Sequence, residues 1–368
     1  MALKGLLSSV LLVIVLTVPV TSEVLHTLTS PNEEEEGYFG ISVSGAGDVN
    51  GDGYDDVIIG ARQEDPDNSP DDAGRAYVFD GLTGTLVHTL VSPNEEFDGY
   101  FGYSVSGAGD VNEDGYDDVA VGAYMEDPGS SPINAGRVYV FDGQTGNLLH
   151  TLASPNEEAA GYFGRSVSGV GDVDGDGPDD IVVGAYGEDP GSSPDFAGRA
   201  YLFHGQSGRL IRALSSPNEE PNGGFGYSVS GVRDTNGDGF SEVLIGTHLE
   251  ESGSSPDFAG TAYIFSWMHL SSNLSGDDLD LHWSPWSPAS EYWIYGADNL
   301  AYFNPGFAAG YDFRLVVIPT GTTTWSSPNG IGDPENNWTY LVIAVDETEA
   351  ELARSNRVGE HDFDTDVP

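Results

Sequence analysis

The chain has 368 residues, with 60 Asp and Glu against 12 Lys and Arg and a formal charge of -48 at pH 7. That surplus of acid excludes nucleic-acid binding led by phosphate contacts, and the absence of cysteine excludes disulfides, thiolate metal sites and cysteine nucleophiles. A hydrophobic content of 38% and 50 glycines set it apart from a disordered acidic tail, so the acid must be organised by a fold.

At the N-terminus, Lys4 precedes a mostly apolar run from Gly5 to Val20 and the small residues Thr21 and Ser22. This predicts a signal peptide over residues 1–22, cleaved after Ser22, and a secreted or cell-surface location. The apolar run is shorter than the ~20 residues of a membrane span, so no span is expected after cleavage.

Four repeats then run from about Val24 to Trp267. Tyr38-Phe39-Gly40 returns as Tyr100-Phe101-Gly102, Tyr162-Phe163-Gly164 and Gly224-Phe225-Gly226, at a constant step of 62 residues. His26-Thr27-Leu28, His88-Thr89-Leu90, His150-Thr151-Leu152 and Arg212-Ala213-Leu214 keep the same step. Within a repeat, short apolar runs bounded by Gly, Pro, Asn and Asp predict strands at Val24–Leu28, Phe39–Gly45, Asp56–Ala61 and Arg75–Asp80. Val57-Ile58-Ile59 is continuously apolar, as a strand buried on both faces would be. Four short strands per unit make a propeller blade, and the fold class is all-β.

Between the second and third of these strands lies an acidic loop, opening at Asp48, Asp110, Asp172 and Asp234, of the form D-x-[DN]-x-D-G-x-x-[DE]. Oxygen side chains at its first, third, fifth and ninth positions and a carbonyl at its seventh supply the hard ligands calcium takes at ~2.3–2.6 Å. Glycine at the sixth position permits the positive φ needed to wrap an ion. The pattern is like the first half of an EF-hand loop, but it lacks the glutamate at the twelfth position and is flanked by strands. Uncompensated carboxylates this close would repel, so solvated turns without metal are not expected four times in register.

With Phe-Gly before each loop and Gly60-Ala61, Gly122-Ala123 and Gly184-Ala185 after, the units resemble the FG-GAP repeats of integrin α-subunit head domains. The resemblance implies calcium ions, up to four, one per repeat. Their ligands would be Asp48, Asn50, Asp52 and Asp56; Asp110, Asn112, Asp114 and Asp118; Asp172, Asp174, Asp176 and Asp180; and Asp234, Asn236, Asp238 and Glu242. Carbonyls of Tyr54, Tyr116, Pro178 and Phe240 would complete them. The fourth loop, with the longer Glu242 and with Thr247 where the others have alanine, is expected to be looser.

Val24–Leu28 precedes the first blade and no equivalent follows Thr261–Phe265. That segment is therefore expected to pair with the last blade as a clasp that closes a four-bladed ring. The alternative is an open arc completed by a second copy, since the integrin ring has more than four blades. The three histidines are one repeat position on different blades and are expected to be structural, because Arg212 in the fourth copy cannot replace an imidazole ligand. The linkers Glu64-Asp65-Pro66, Glu126-Asp127-Pro128 and Glu188-Asp189-Pro190 are expected to be solvated loops. No residue breaking the repeat symmetry presents itself as catalytic, and the chain is not expected to be an enzyme.

The period ends after Trp267. Ser271–Gly276 reads as part of a linker over 268–277. Leu281–Trp283, Tyr292–Tyr295, Arg314–Ile318, Thr323–Trp325, Tyr340–Val345 and Ser355–Val358 then read as strands of a domain over 278–363, before a tail at 364–368. This region resembles a fibronectin type III-like sandwich, with Trp283 in its core and Tyr340 as its corner tyrosine. The propeller itself is expected over 23–267. Together these features predict an extracellular calcium-binding adhesion or ligand-binding module, with a protein or glycan partner. The alternatives are a carbohydrate-active enzyme or its accessory module, and a structural cell-surface protein.

Overall fold

In the computed structural model the described residues are 22–65, 69–127, 129, 132–189, 191, 193–251 and 258–267, followed by strands between Leu270 and Arg354. The first repeat forms an antiparallel sheet of β1 (Phe39–Gly47), β2 (Asp56–Ala61), β3 (Arg75–Phe79) and β4 (Leu86–Leu90), in that order. The second repeats it with β5 (Ser104–Gly109), β6 (Asp118–Ala123), β7 (Arg137–Phe141) and β8 (Leu148–Leu152). The third does so with β9 (Phe163–Gly171), β10 (Asp180–Ala185), β11 (Arg199–Phe203) and β12 (Leu210–Leu214). The fourth has three strands, β13 (Phe225–Val232), β14 (Glu242–Thr247) and β15 (Thr261–Phe265). Strands β1, β5, β9 and β13 pack against one another in succession, so the sheets stand side by side as blades do.

The continuously apolar runs behave as their composition predicts. Every residue of β6 and β10 is buried, because each blade is covered on both faces by its neighbours. One core lies between each pair of blades. Between the second and third, Val138, Val140 and Leu152 of one meet Phe163, Val183 and Tyr201 of the next. The phenylalanine of each Phe-Gly packs edge-on against its own blade, as Phe163 does on Phe203 with centroids 5.8 Å apart. The paired glycines have a single cause. A Cβ at Gly122 would lie 2.1 Å from the carbonyl oxygen of Gly164, and one at Gly60 1.9 Å from that of Gly102. The Gly-Ala of one blade and the Phe-Gly of the next are thus two halves of one backbone-to-backbone contact.

Two expectations for the blades are corrected. Glu64, Glu126 and Glu188 are not solvated: they are fully buried, and each accepts a hydrogen bond from a tyrosine hydroxyl, of Tyr77, Tyr139 and Tyr201 respectively. The linkers turn inward there because the segment entering from the preceding blade supplies a serine, Ser92 for Glu126 and Ser154 for Glu188, a polar partner far away along the chain. The clasp is also not formed. Among the described residues Val24–Leu28 is no strand, β15 pairs with β14 alone, and β13 does not pack against β1. Val43 on β1 is 68% exposed where Val105 on β5 is 6%, and Ile264 on β15 is 59% exposed where Val78 on β3 is 1%. The four blades form an open row with two uncovered ends.

The histidines hold blades together, as a structural role requires. Nε2 of His88 lies 2.7 Å from the carbonyl oxygen of Gly143, and that of His150 3.1 Å from Gln206 O, each in the outer hairpin of the following blade.

Beyond Trp267, β16 (Leu270–Ser275), β17 (Asp278–Trp283) and β20 (Thr324–Ser327) form a sheet in the order β16-β17-β20. A second sheet has the order β19-β18-β21-β22, from β18 (Glu291–Ala297), β19 (Arg314–Pro319), β21 (Thr339–Val345) and β22 (Glu351–Arg354). The stretch expected to be a linker is a strand, β16, because it pairs along its length with β17. A last strand at Ser355–Val358 and the roles expected for the Trp283 and Tyr340 side chains lie outside the described residues.

Candidate functional site

Each acidic loop joins the innermost strand of a blade to its second strand, and its own carboxylates hold its shape. Asp48 accepts from Gly51 N at 2.7 Å and Gly53 N at 2.8 Å, while Asp52 accepts from Tyr54 N at 2.9 Å. The buried Asp56 accepts from Val49 N at 3.1 Å and from Gly81 N, in the outer hairpin, at 2.9 Å. In the second loop Asp110 accepts from Gly115 N, Asp114 from Tyr116 N, Asp118 from Val111 N and Gly143 N, and Asn112 from Asp114 N. The sixth-position glycines have φ of 89°, 90°, 115° and 95° at Gly53, Gly115, Gly177 and Gly239. That is the backbone the sequence required of them.

Asp172, Asp174 and Asp180 bring carboxylate oxygens within 4.8 Å of one another, and so do Asp234, Asp238 and Glu242. Glu242 folds back to accept from Thr235 N and Thr235 Oγ1, and its Oε1 accepts from Asn236. The longer side chain thus occupies the place of an aspartate. In the first two loops no such triad of acidic oxygens converges among the described residues. Asn50 and Asn112 stand third there, and Asn50 Nδ2 donates to both oxygens of Asp56 at 3.2 and 3.1 Å. Pro178 has no N–H to cap Asp176, and Asp176 instead faces His204, which joins Asp174 in a third group.

Burial is the chief cause that pushes Asp118 up to about 7 and Asp180 up to about 8, with neighbouring carboxylates adding to it. Asp174 rises to about 6 for the same reasons, with Asp176 the charge that contributes most. The donor set fits a hard divalent cation: it is all oxygen in the fourth loop and nearly so in the third, on a glycine-turned backbone, with excess negative charge for a cation to offset.

At the opposite ends of the same strands a second group of residues comes together. The guanidinium of Arg62 lies 5.0, 5.4 and 5.6 Å from the ring centroids of Tyr38, Tyr100 and Tyr103. That of Arg165 lies 5.1, 5.5 and 4.0 Å from those of Tyr103, Tyr186 and Tyr227, and it donates to the Tyr227 hydroxyl at 2.5 Å. Tyr103, Tyr124, Tyr162 and Tyr186 continue the row at 4.4, 5.8 and 5.1 Å between successive rings, and Tyr227 lies tilted against the exposed His248 with centroids 3.9 Å apart. Tyr38, Tyr100 and Tyr162 hold left-handed φ of 54°, 54° and 55°, a conformation that tyrosine adopts at a cost.

The FG-GAP repeat model matches residues 39–79, 101–141, 163–203 and 225–265, each from a Phe-Gly through the third strand of its blade. These four segments are similar to FG-GAP repeats. The chain is similar to integrin alpha-5 of Xenopus laevis, 33% identical over 203 residues, covering 51% of this chain and 18% of that protein. It is also similar to integrin alpha-IIb of Mus musculus, 37% identical with 44% and 16% covered, and to integrin alpha-PS2 of Drosophila melanogaster, 40% identical with 41% and 12% covered. The chain spans less than a fifth of the length of these relatives. Among solved structures, pectate lyase PelI from Erwinia chrysanthemi matches 25% of this chain and 28% of that chain at 24% identity and a TM-score of 0.20, too low to bear on the fold.

The 62-residue periodicity is what hid the tyrosine and arginine row. Read down the period, one position holds Arg62, Tyr124, Tyr186 and His248, and another Ile41, Tyr103, Arg165 and Tyr227. These are the places where the repeats disagree, and aligning them was the available signal. His204 was likewise missed. It stands where the first two repeats have Asp80 and Asp142, and only the fold brings it against Asp176.

Proposed function

We propose that this chain is a secreted, calcium-binding adhesion or ligand-binding module, which contacts an extracellular protein or glycan through its tyrosine and arginine row. The row carries the binding reading. It places two arginines and a run of partly exposed rings at one end of the blades of a chain that has 12 basic residues in all. Such a surface suits a ligand with a flat apolar face and a carboxylate, since stacked rings supply area and guanidinium supplies paired donors. The similarity to integrin alpha chains supports the adhesive role, and no helix of the described residues is long and apolar enough to cross a membrane.

At the other end of the blades, calcium would be held by the carboxylates of the four loops. Bound there, it supplies positive charge that ties each hairpin together and fixes the start of the second strand, whose far end bears Arg62 and its equivalents. Affinity in the ~10⁻⁴–10⁻³ M range of extracellular modules would suit loops with no helix to preorganise them. The C-terminal strands read as a fibronectin type III-like spacer from residue 278 onward.

Thermal melting and binding to an array of matrix proteins and glycans, each with calcium and with chelator, test both halves. Calcium at about 100 times Kd should add about 2.7 kcal/mol and raise the midpoint. An unchanged midpoint sinks the calcium reading. Arg165→Gln should abolish retention on the array and leave the midpoint within about 2 °C, given the partly exposed site. Retention equal to wild type would remove the row from the binding site.

A further inference from the structure

The two open ends of the blade row are complementary halves of a junction that the chain already makes three times. At the trailing end, Gly246 stands where Gly60, Gly122 and Gly184 meet the Phe-Gly carbonyl of the next blade, yet a Cβ there would meet only Ser228 of its own blade. At the leading end, a Cβ on Gly40 or Gly45 would meet nothing within 4 Å, whereas the equivalent Gly102 and Gly107 abut Arg75 O and Gly45 O of the preceding blade. Gly45 needs no positive φ, so nothing within the chain calls for glycine there.

The leading end also carries a segment that has no counterpart at the trailing end among the described residues. His26 Nε2 lies 3.0 Å from Leu82 O, as His88 and His150 reach the outer hairpins of the blades after theirs. Leu28 packs against the cluster of Tyr77 and Phe79, as Leu90 packs beside Tyr139 and Phe141. Ser30 caps Asn32 N as Ser92 caps Asn94 N. Val24–Leu28 is thus docked on the first blade in the position of a preceding blade's outermost strand, with Val24 and Leu25 exposed. Among the described residues, those one period after β12 pair with β17 and not with β15.

We propose that two copies of the chain join head to tail into one ring of eight blades, the Val24–Leu28 segment of each serving as fourth strand of the other's last blade. β13 and β1 lie at opposite ends of the row, so one chain does not meet itself. Two copies cover both ends at once, and eight blades is within the range of about four to eight that propellers use. Shifting the observed pairs Ala76↔Leu90, Tyr77↔Thr89 and Val78↔His88 by whole periods sets the register as Ala262↔Leu28, Tyr263↔Thr27 and Ile264↔His26. Asp117 accepts from Asp48 N at 2.8 Å across the first internal junction, and the exposed Asp55 is placed to accept from Asp234 N across the new one. The internal ion pairs Arg75–Glu95, Arg137–Glu157 and Arg199–Glu219 have no counterpart there, since Thr261 and Glu33 hold those positions. The junction between copies is therefore weaker than the internal ones and opens reversibly.

The chain has no cysteine of its own, which makes cross-linking clean. His26→Cys and Ile264→Cys variants of the mature chain, mixed at physiological salt with calcium and oxidised, should give a disulfide between different chains. Sedimentation of the wild type should show twice the chain mass. Gly246→Ala, whose Cβ has only a movable serine hydroxyl to displace within its own chain, should keep the wild-type circular dichroism and sediment as a monomer. A wild type that stays monomeric, a link formed only within a chain carrying both cysteines, or growth into open-ended assemblies would each overturn the ring.

Discussion

Replacing Glu126 by glutamine tests whether the buried glutamates carry the pH dependence that their surroundings impose. Glu126 is fully buried, its Oε2 accepts from Tyr139, and its Oε1 has no partner among the described residues. Burial above all, with the nearby charge of Glu96, pushes its carboxyl from 4.5 up to about 7; Ser92, Tyr139 and Arg137 oppose that shift but do not cancel it. The folded chain therefore holds this proton more tightly than the unfolded chain. The contribution is fully present below pH 4.5 and is lost as pH rises through about 7. That shift corresponds to about 3 kcal/mol. A glutamine amide in its place has no proton to lose. In urea unfolding at matched calcium, the stability of wild type minus that of Glu126→Gln should fall by about 3 kcal/mol between pH 4.5 and 8, with most other titrating groups cancelling. The unpaired amide of the variant adds only an offset independent of pH. A flat difference across that range would refute the reasoning, and Glu188, pushed up to about 7 beside Tyr201, offers the same test in the next blade.

Glu113 is the one residue at the fourth loop position that is not glycine, and it sits at φ 59° where Gly51, Gly175 and Gly237 sit at 76°, 82° and 85°. Glu113→Gly should relieve about 1–2 kcal/mol of left-handed strain and return roughly half of that as unfolded-state entropy, for a small rise in melting midpoint. A fall in midpoint would show that the Glu113 side chain is needed. Gly122→Ala should cost at least about 3 kcal/mol in unfolding experiments, because its Cβ would lie 2.1 Å from the Gly164 carbonyl and backbone cannot step aside. A loss under about 1 kcal/mol would mean that the junction between blades is looser than its geometry shows.

Much of this molecule is legible along the chain because it repeats. The constant period, the strand boundaries at Asp56–Ala61 and the glycine-turned acidic loops come from local rules, in which apolar alternation and positive φ are set by residues close in sequence. The convergence of acidic side chains in the third loop was legible for that reason, since Asp172, Asp174 and Asp180 lie within nine residues of one another and need little beyond the hairpin to meet.

The remainder depended on what the blades bring to one another where they meet. The Glu-Asp-Pro linkers are charged and carry proline, so their local rule says solvent, but the segment arriving from the preceding blade supplies a serine that takes the glutamate inward. The tyrosine and arginine row is built from positions on every blade that become neighbours only when the blades stand side by side, and His204 meets Asp176 only once the outer hairpin folds over the loop. The sequence by itself determined the blade, the loop chemistry and the number of repeats, because those are contacts within one unit. Only the tertiary structure decided which glutamates are buried, which aromatic rings touch, and that the first and last blades are left open. Those outcomes depend on the angle between neighbouring units, which no single repeat encodes.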